Sequence, residues 1–190
     1  SDLVFSFVEK LAKELKKTHP EVVLWVPAYD YYSRPPEKIK RLPDNVGITL
    51  CLFPTWIQTS HPETQKELNE LTERWFELVG RNPERLVVWD YFFYPNCFFT
   101  APTEIPHLLQ KNINFLRGRA IGMMNNGFSP RAPQNPQLYL TYRIVWLYQQ
   151  LLWNPDFDVE KARTQWCRDL FGPAAATMEK FYALLEERWE

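Results

Sequence analysis

Four short apolar runs, each the length of a β-strand, are separated by segments with helical periodicity. This alternation constrains the fold more than any other feature. The runs are VVLWV (22–26), VGITLCLF (46–53), LVVWDY (86–91) and RAIGMMNN (119–126), the last interrupted by Gly122. Strands this apolar are expected to be buried on both faces, and strands that alternate with helices pair in parallel. Helical patterns fall at 2–18, 61–79, 103–117, 136–152, 158–170 and 174–189. The first places Leu3, Val4, Phe7, Val8, Leu11 and Leu15 near one face. Ser60 and Glu63 spell a capping box that opens the second, which carries Leu68, Leu71, Trp75 and Leu78 and stops at Gly80. Gly172-Pro173 separates the last two.

The order predicts an α/β fold of four parallel βα units. Four strands are too few for a closed (β/α)8 TIM-type barrel and suit half of one, with extra C-terminal helices; an open flavodoxin-like sheet is the rival topology. Residues 1–190 read as a single, partial barrel domain, roughly strands 5–8 of the barrel. Residues 154–190 read as a helical extension packed on it.

Charge narrows the partners. A net charge of −1 and a pI near 6.3 favour neither nucleic acid nor an anionic membrane. No apolar run approaches the roughly 18–20 residues that span a bilayer. The N-terminal segment is an amphipathic helix pattern and not a signal peptide, so a signal for export would lie outside this sequence. Cys51, Cys97 and Cys167 are far apart and odd in number, which implies neither a disulfide framework nor a zinc site. His19, His61 and His107 each adjoin a proline and none has a second histidine at ligand spacing, so no metal is expected. No cofactor motif occurs, and none is expected.

Aromatic residues make up 16% of the chain, and position decides what they are for. In parallel α/β folds the ligand site lies at the carboxyl ends of the strands. There the sequence reads Tyr29-Asp30-Tyr31-Tyr32, then Phe53-Pro54-Thr55-Trp56, then Trp89-Asp90-Tyr91, then Asn125-Asn126. The opposite loops, HPE, LPDN and RNPER, are polar without rings. Rings stack on the apolar faces of sugars, and carboxylates, amides and phenols bond their hydroxyls. The candidate binding residues are therefore Tyr29, Asp30, Tyr31, Trp56, Trp89, Asp90, Tyr91 and Asn125. Asp90 serves equally as a structural carboxylate, and the tyrosines equally as core residues with satisfied hydroxyls. Trp89 and Asp90 alternate, so only one of them points to a given face. Trp146, Trp153, Trp166 and Trp189 lie on helices and are expected in the core.

Four segments in order resemble a known family: P-x-x-x-LW-x-x-AYDYY-x-x-PP (20–36), VVWDYFFYP (87–95), G-x-x-x-GMM (118–124) and LLWNPDFDVEKARTQWCRDLFGPAAATMEKFYALLE (151–186). This resembles the bacterial family of domain of unknown function 4838, some members of which are classed as glycoside hydrolase family 163, endo-β-N-acetylglucosaminidases acting on N-glycans. The resemblance covers nearly the whole chain and the carboxyl half of the family's barrel. It implies an exported or periplasmic protein that uses the substrate's own acetamido oxygen as nucleophile. It also implies an acidic pair after the fourth barrel strand, which would lie upstream of Ser1, leaving the catalytic residues of this chain unknown. The partner would be a glycan or oligosaccharide, and the remaining half of the barrel or a second copy of the chain. The alternative is a non-catalytic carbohydrate-binding or structural half-barrel module that needs such a partner.

Overall fold

A computed structural model describes residues 1–52, 61–91, 104–125 and 137–189. The chain divides into two compact units, Ser1–Phe92 with Leu116–Asn126, and Phe93–Phe115 with Gly127–Glu190.

In the first unit, helix α1 (Asp2–Thr18) precedes strands β1 (Leu24–Ala28) and β2 (Val46–Leu52). Helix α2 (Pro62–Leu78), strand β3 (Leu86–Asp90) and strand β4 (Gly122–Asn125) complete it. The strands form one sheet in the order β1-β2-β3-β4, all parallel, with Val26 beside Ile48 and Ile48 beside Leu86. Each strand therefore neighbours the one before it in sequence. The α/β fold with a parallel four-stranded sheet agrees with the alternation of apolar runs.

The core lies on one face of this sheet. Val46, Ile48, Leu50 and Leu86 alternate onto it and meet Phe5, Val8 and Ala12 of α1 and Trp75, Phe76 and Leu78 of α2. The rings of Phe5 and Trp75 sit 4.9 Å apart, and the Trp75 indole N–H donates to the Ser33 carbonyl at 2.7 Å. Arg85 is buried and donates to the carbonyls of Val46 (2.8 Å), Val79 (2.9 Å) and Pro43. Asn45 donates to the Ala12 carbonyl at 2.8 Å, tying β2 to α1.

Several expectations need correction. β1 starts and ends two residues later than the apolar run, because Val22 and Val23 are exposed and pairing begins at Leu24, whose N–H donates to Asn45. It is not buried on both faces: Trp25 and Pro27 are exposed, as an edge strand permits, and an edge is where Pro27 can forgo an N–H. In α1 the buried stripe is Phe5, Val8 and Ala12, while Leu3, Phe7 and Leu11 are exposed. The helix carries two adjacent apolar stripes, and contact with Trp75 selects the one that holds Phe5. The cap of α2 is His61, without a side-chain bond, so Ser60 is not its cap; Ser60 lies outside the described residues. β4 starts only at Gly122, because the N–H groups of Arg119 and Ala120 still bond to the Leu116 carbonyl of the preceding helix.

The second unit contains most of helix α3 (Pro106–Leu116), with α4 (Gln137–Trp153), α5 (Val159–Phe171) and α6 (Ala175–Trp189). Pro106, suited to a first helical turn, delays α3 by three residues from the predicted start. Asp158 caps α5 by accepting from the Lys161 N–H at 2.9 Å. Gln110 donates to the carbonyls of Pro155 (3.1 Å) and Phe157 (2.8 Å), fastening α3 to the turn before α5. Inside, Arg143 pairs with Glu104, both fully buried, and its guanidinium lies 4.9 Å from the Tyr182 ring. Burial lowers the Arg143 pKa to about 10, which still leaves it charged at neutral pH. Trp146 and Trp166 pack together at 5.2 Å, as expected of core rings. Trp153 does not: it is 92% exposed, at the last position of α4, beyond the reach of the packed face. No described helix is long and apolar enough to cross a membrane.

Candidate functional site

Strand alternation sorts the residues at the carboxyl ends of the sheet. Leu86, Val88 and Asp90 point one way along β3, toward the face that packs on the helices. Val87 and Trp89 point the other way, and Tyr91, one residue past the strand, follows them. Cross-strand register extends both sets. Asp90 lies beside Leu52 and Asn125, and Trp89 beside Cys51 and Met124. Tyr29, one step past the Ala28–Leu50 pair, comes level with Cys51.

Three rings gather on the face opposite the helices. Trp89 and Tyr91 stack with centroids 6.0 Å apart and planes 9° from parallel. Tyr29 approaches Tyr91 at 6.3 Å with a 37° tilt. Between the strands that carry them, Cys51 is buried. Burial first, then the neighbouring Cys51 and Tyr29, pushes the Tyr91 pKa up to about 12; hydrogen bonds from Tyr91 to Tyr29 and Cys51 also hold the proton on its phenol. Burial likewise pushes the Cys51 thiol up, against a smaller lowering by Tyr91. At neutral pH Tyr91 therefore keeps its phenol proton and Cys51 its thiol proton, beside the Trp89 indole and the Tyr29 ring. Such a group does not supply a nucleophilic thiolate. It offers flat apolar faces edged with hydroxyls, which is what binding of a polyhydroxylated ring requires.

The remaining predicted residues are placed differently. Asp90 is 8% exposed, belongs to the helix-packed face by alternation, and is engaged with neighbours, as is Asn125. Asp30 opens a short 3-10 turn over Asp30–Tyr32 with φ +47°, a conformation that aspartate tolerates better than most residues. Its backbone carbonyl accepts from the Ser33 N–H (3.1 Å) and hydroxyl (2.8 Å). Tyr31 is 93% exposed. Trp56 lies outside the described residues. The structure therefore brings Tyr29, Trp89 and Tyr91 together, sets Asp90 beside Asn125 on the other face, and leaves Asp30 and Tyr31 on an adjoining turn.

Cys51, which is not among the candidate residues, is buried and in contact with Tyr91. The signal was available in the two-residue period, which puts Cys51 on the same face as Thr49 and Gly47, opposite Leu50. A second grouping gave no sequence signal. In the second unit His107, Glu160 and Glu186 place one ligand-capable atom each within 4.8 Å of one another, although 53 to 79 residues separate His107 from the carboxylates. These are the described residues that could hold a metal ion.

Set against known proteins, residues 1–183 match the model of a family described as a domain of unknown function, DUF4838. Comparison with curated proteins and with solved structures gives no match.

Proposed function

Since the chain belongs to the DUF4838 family, we propose that it forms half of a (β/α)8 glycoside hydrolase-like domain and supplies one wall of a cleft for N-acetylglucosamine-containing glycans. The observation that supports this most is the ring cluster of Tyr29, Trp89 and Tyr91 at the carboxyl ends of parallel strands, opposite the helix-packed face. In this reading the indole of Trp89 stacks on the C–H face of a sugar. Tyr91 and Tyr29 donate O–H groups to sugar or acetamide oxygens. Asp90, Asn125, Asp30, Tyr31 and Trp56 complete the polar and aromatic rim. The general acid and the residue that orients the acetamide are proposed to lie upstream of Ser1, on strands of the other half barrel.

Titration of an N-glycan core oligosaccharide into the protein tests the wall. Saturable binding that weakens at least tenfold in Trp89→Ala supports it. Unchanged binding in that variant, or no binding by a folded protein, refutes it. Residues 1–190 alone are expected to show no turnover, because hydrolysis needs an acid positioned across the bond. Robust hydrolysis by this chain would overturn the assignment of the acids.

A second reading, a structural half barrel that docks on a partner, is favoured by a different observation. Leu3, Phe7 and Leu11 of α1 and Val22, Val23 and Trp25 at the β1 edge are all exposed. An exposed parallel edge is unusual, since parallel sheets are normally covered. Stable association in solution, with no glycan binding, would put this reading first.

A further inference from the structure

In the second unit, the first turn of α3, the first turn of α5 and the last turn of α6 converge on one imidazole. His107 Nδ1 lies 2.6 Å from Glu186 Oε1, and the His107 backbone N–H lies 3.3 Å from the same oxygen. Glu186 is buried and a carboxylate only accepts, so the Nδ1 position carries the proton. With Nδ1 engaged, Nε2 is the ring nitrogen left to meet a ligand, and it lies 3.4 Å from Glu160 Oε1. One ligand-capable atom from each of the three side chains falls within 4.8 Å of the others, close enough to share one cation.

The spacing fits a small tetrahedral cation. A hydrogen bond from a protonated ring to a carboxylate closes to about 2.7–2.9 Å. Two ligand atoms at about 2.0–2.1 Å from a tetrahedral ion sit roughly 3.3–3.4 Å apart. The Nε2–Oε1 distance matches the second figure. The arrangement behind it matches too, because a metal-bound histidine commonly gives its other N–H to a carboxylate that sets its tautomer and angle. Arg163 donates to Glu186 Oε2 at 3.1 Å and to Glu160 Oε2. It steadies both carboxylates and leaves Glu160 Oε1 free of its own bonds. Ligand side chains of His107 and Glu160 are 45% and 53% exposed, so an ion and its waters can enter.

We propose that His107 Nε2 and Glu160 Oε1 bind a divalent transition ion of the zinc class, with Glu186 orienting the imidazole and waters filling the other positions. One nitrogen and one carboxylate oxygen suit zinc or cobalt better than calcium or magnesium, which take oxygen ligands. The guanidinium of Arg163 beside the carboxylates weakens the site without removing either ligand. A bound ion would pin the start of α3 to the start of α5. This inference does not depend on the glycan reading, since its residues all lie in the other unit.

The test uses Co²⁺ as a spectroscopic stand-in for Zn²⁺, with the full chain. One Co²⁺ per chain is expected, with visible d–d bands and no thiolate charge-transfer band, together with a rise in melting temperature that saturates. His107→Gln and Glu160→Gln should each weaken binding at least tenfold and abolish the temperature rise. Glu186→Gln should weaken it about 10- to 100-fold. Glu160 is exposed, so its variant tests the site even if the His107 variant misfolds. No binding up to millimolar metal, binding undiminished in Glu160→Gln, or a thiolate band would each overturn the proposal.

Discussion

Replacing Arg85 by methionine is expected to bring the first unit close to unfolding. The methionine keeps most of the aliphatic stem and removes every donor. Arg85 serves three backbone carbonyls at once: Val46 at the start of β2, Val79 at the cap of α2, and Pro43 in the turn between β1 and β2. The Val79 carbonyl is one of the acceptors that a helix C-terminus leaves unpaired, and it lies at the negative end of the helix dipole. Burial lowers the Arg85 pKa, partly offset by the nearby Asp44. The Pro43 carbonyl keeps the Val46 N–H at 3.0 Å, so two acceptors, on Val46 and Val79, lose the partner they have in Arg85. A buried acceptor left without its partner costs about 1–3 kcal/mol, so two would reach roughly 2–6 kcal/mol, and relief from burying the guanidinium leaves an expected loss of about 2–4 kcal/mol. Domains are stable by about 5–15 kcal/mol in total. Arg85→Lys keeps one charge but cannot fork to three carbonyls, so it should recover less than half of the loss. Urea unfolding followed by tryptophan fluorescence measures this, because Trp25, Trp75 and Trp89 all lie in this unit. A methionine variant within about 1 kcal/mol of the parent, at unchanged m-value, would mean that water already serves these carbonyls and that the reasoning is wrong.

Two further perturbations probe the sheet and the ring cluster. A Cβ on Gly47 would lie 2.7 Å from two ring atoms of Trp25, so Gly47→Ala should turn the indole off the sheet. A changed Trp25 emission, read as the difference from a Trp25→Phe background, checks it, and an unchanged spectrum would refute the close packing. Tyr91 has a folded pKa of about 12 against an unfolded value of 10.0, so the folded state holds its proton longer. Its contribution to stability is fully present below pH 10 and is lost as pH rises toward 12. The stability difference between the parent and Tyr91→Phe should therefore be constant up to about pH 9 and shrink by about pH 11.5. A difference that does not change with pH would contradict the shift.

The parts of the fold that were legible in the sequence are those set by short-range pattern. Apolar runs marked Val46–Leu52 and Leu86–Asp90 to within a residue, because strands in the middle of a parallel sheet are apolar on both faces. The edges misled for the same reason. Among the described strands β1 and β4 each have one neighbour, Trp25, Pro27 and Met124 are exposed, and apolar runs overshoot the pairing. Two apolar stripes on α1 could not be ranked from sequence, since the choice depends on Trp75, about 70 residues on. At the strand ends, alternation alone separates Trp89 from Asp90, but which of them meets the helices depends on where α1 and α2 pack. The tie between His107 and Glu186 was illegible, because only the packing of α3 against α6 brings them together.

The strand order carries a consequence for how the molecule is made. Among the described strands, each one after β1 pairs with the strand synthesised just before it, and none is inserted between two older neighbours. The sheet can therefore lengthen sideways as the chain emerges from the ribosome, β2 docking on β1, β3 on β2 and β4 on β3. At each stage the newest strand offers the template for the next, and earlier hydrogen bonds never have to reopen. A pause in translation after β3 would leave a three-stranded intermediate with its outer edge waiting for β4, and the same side-by-side growth would let a duplicated βα unit be added at that edge without disturbing the strands already in place.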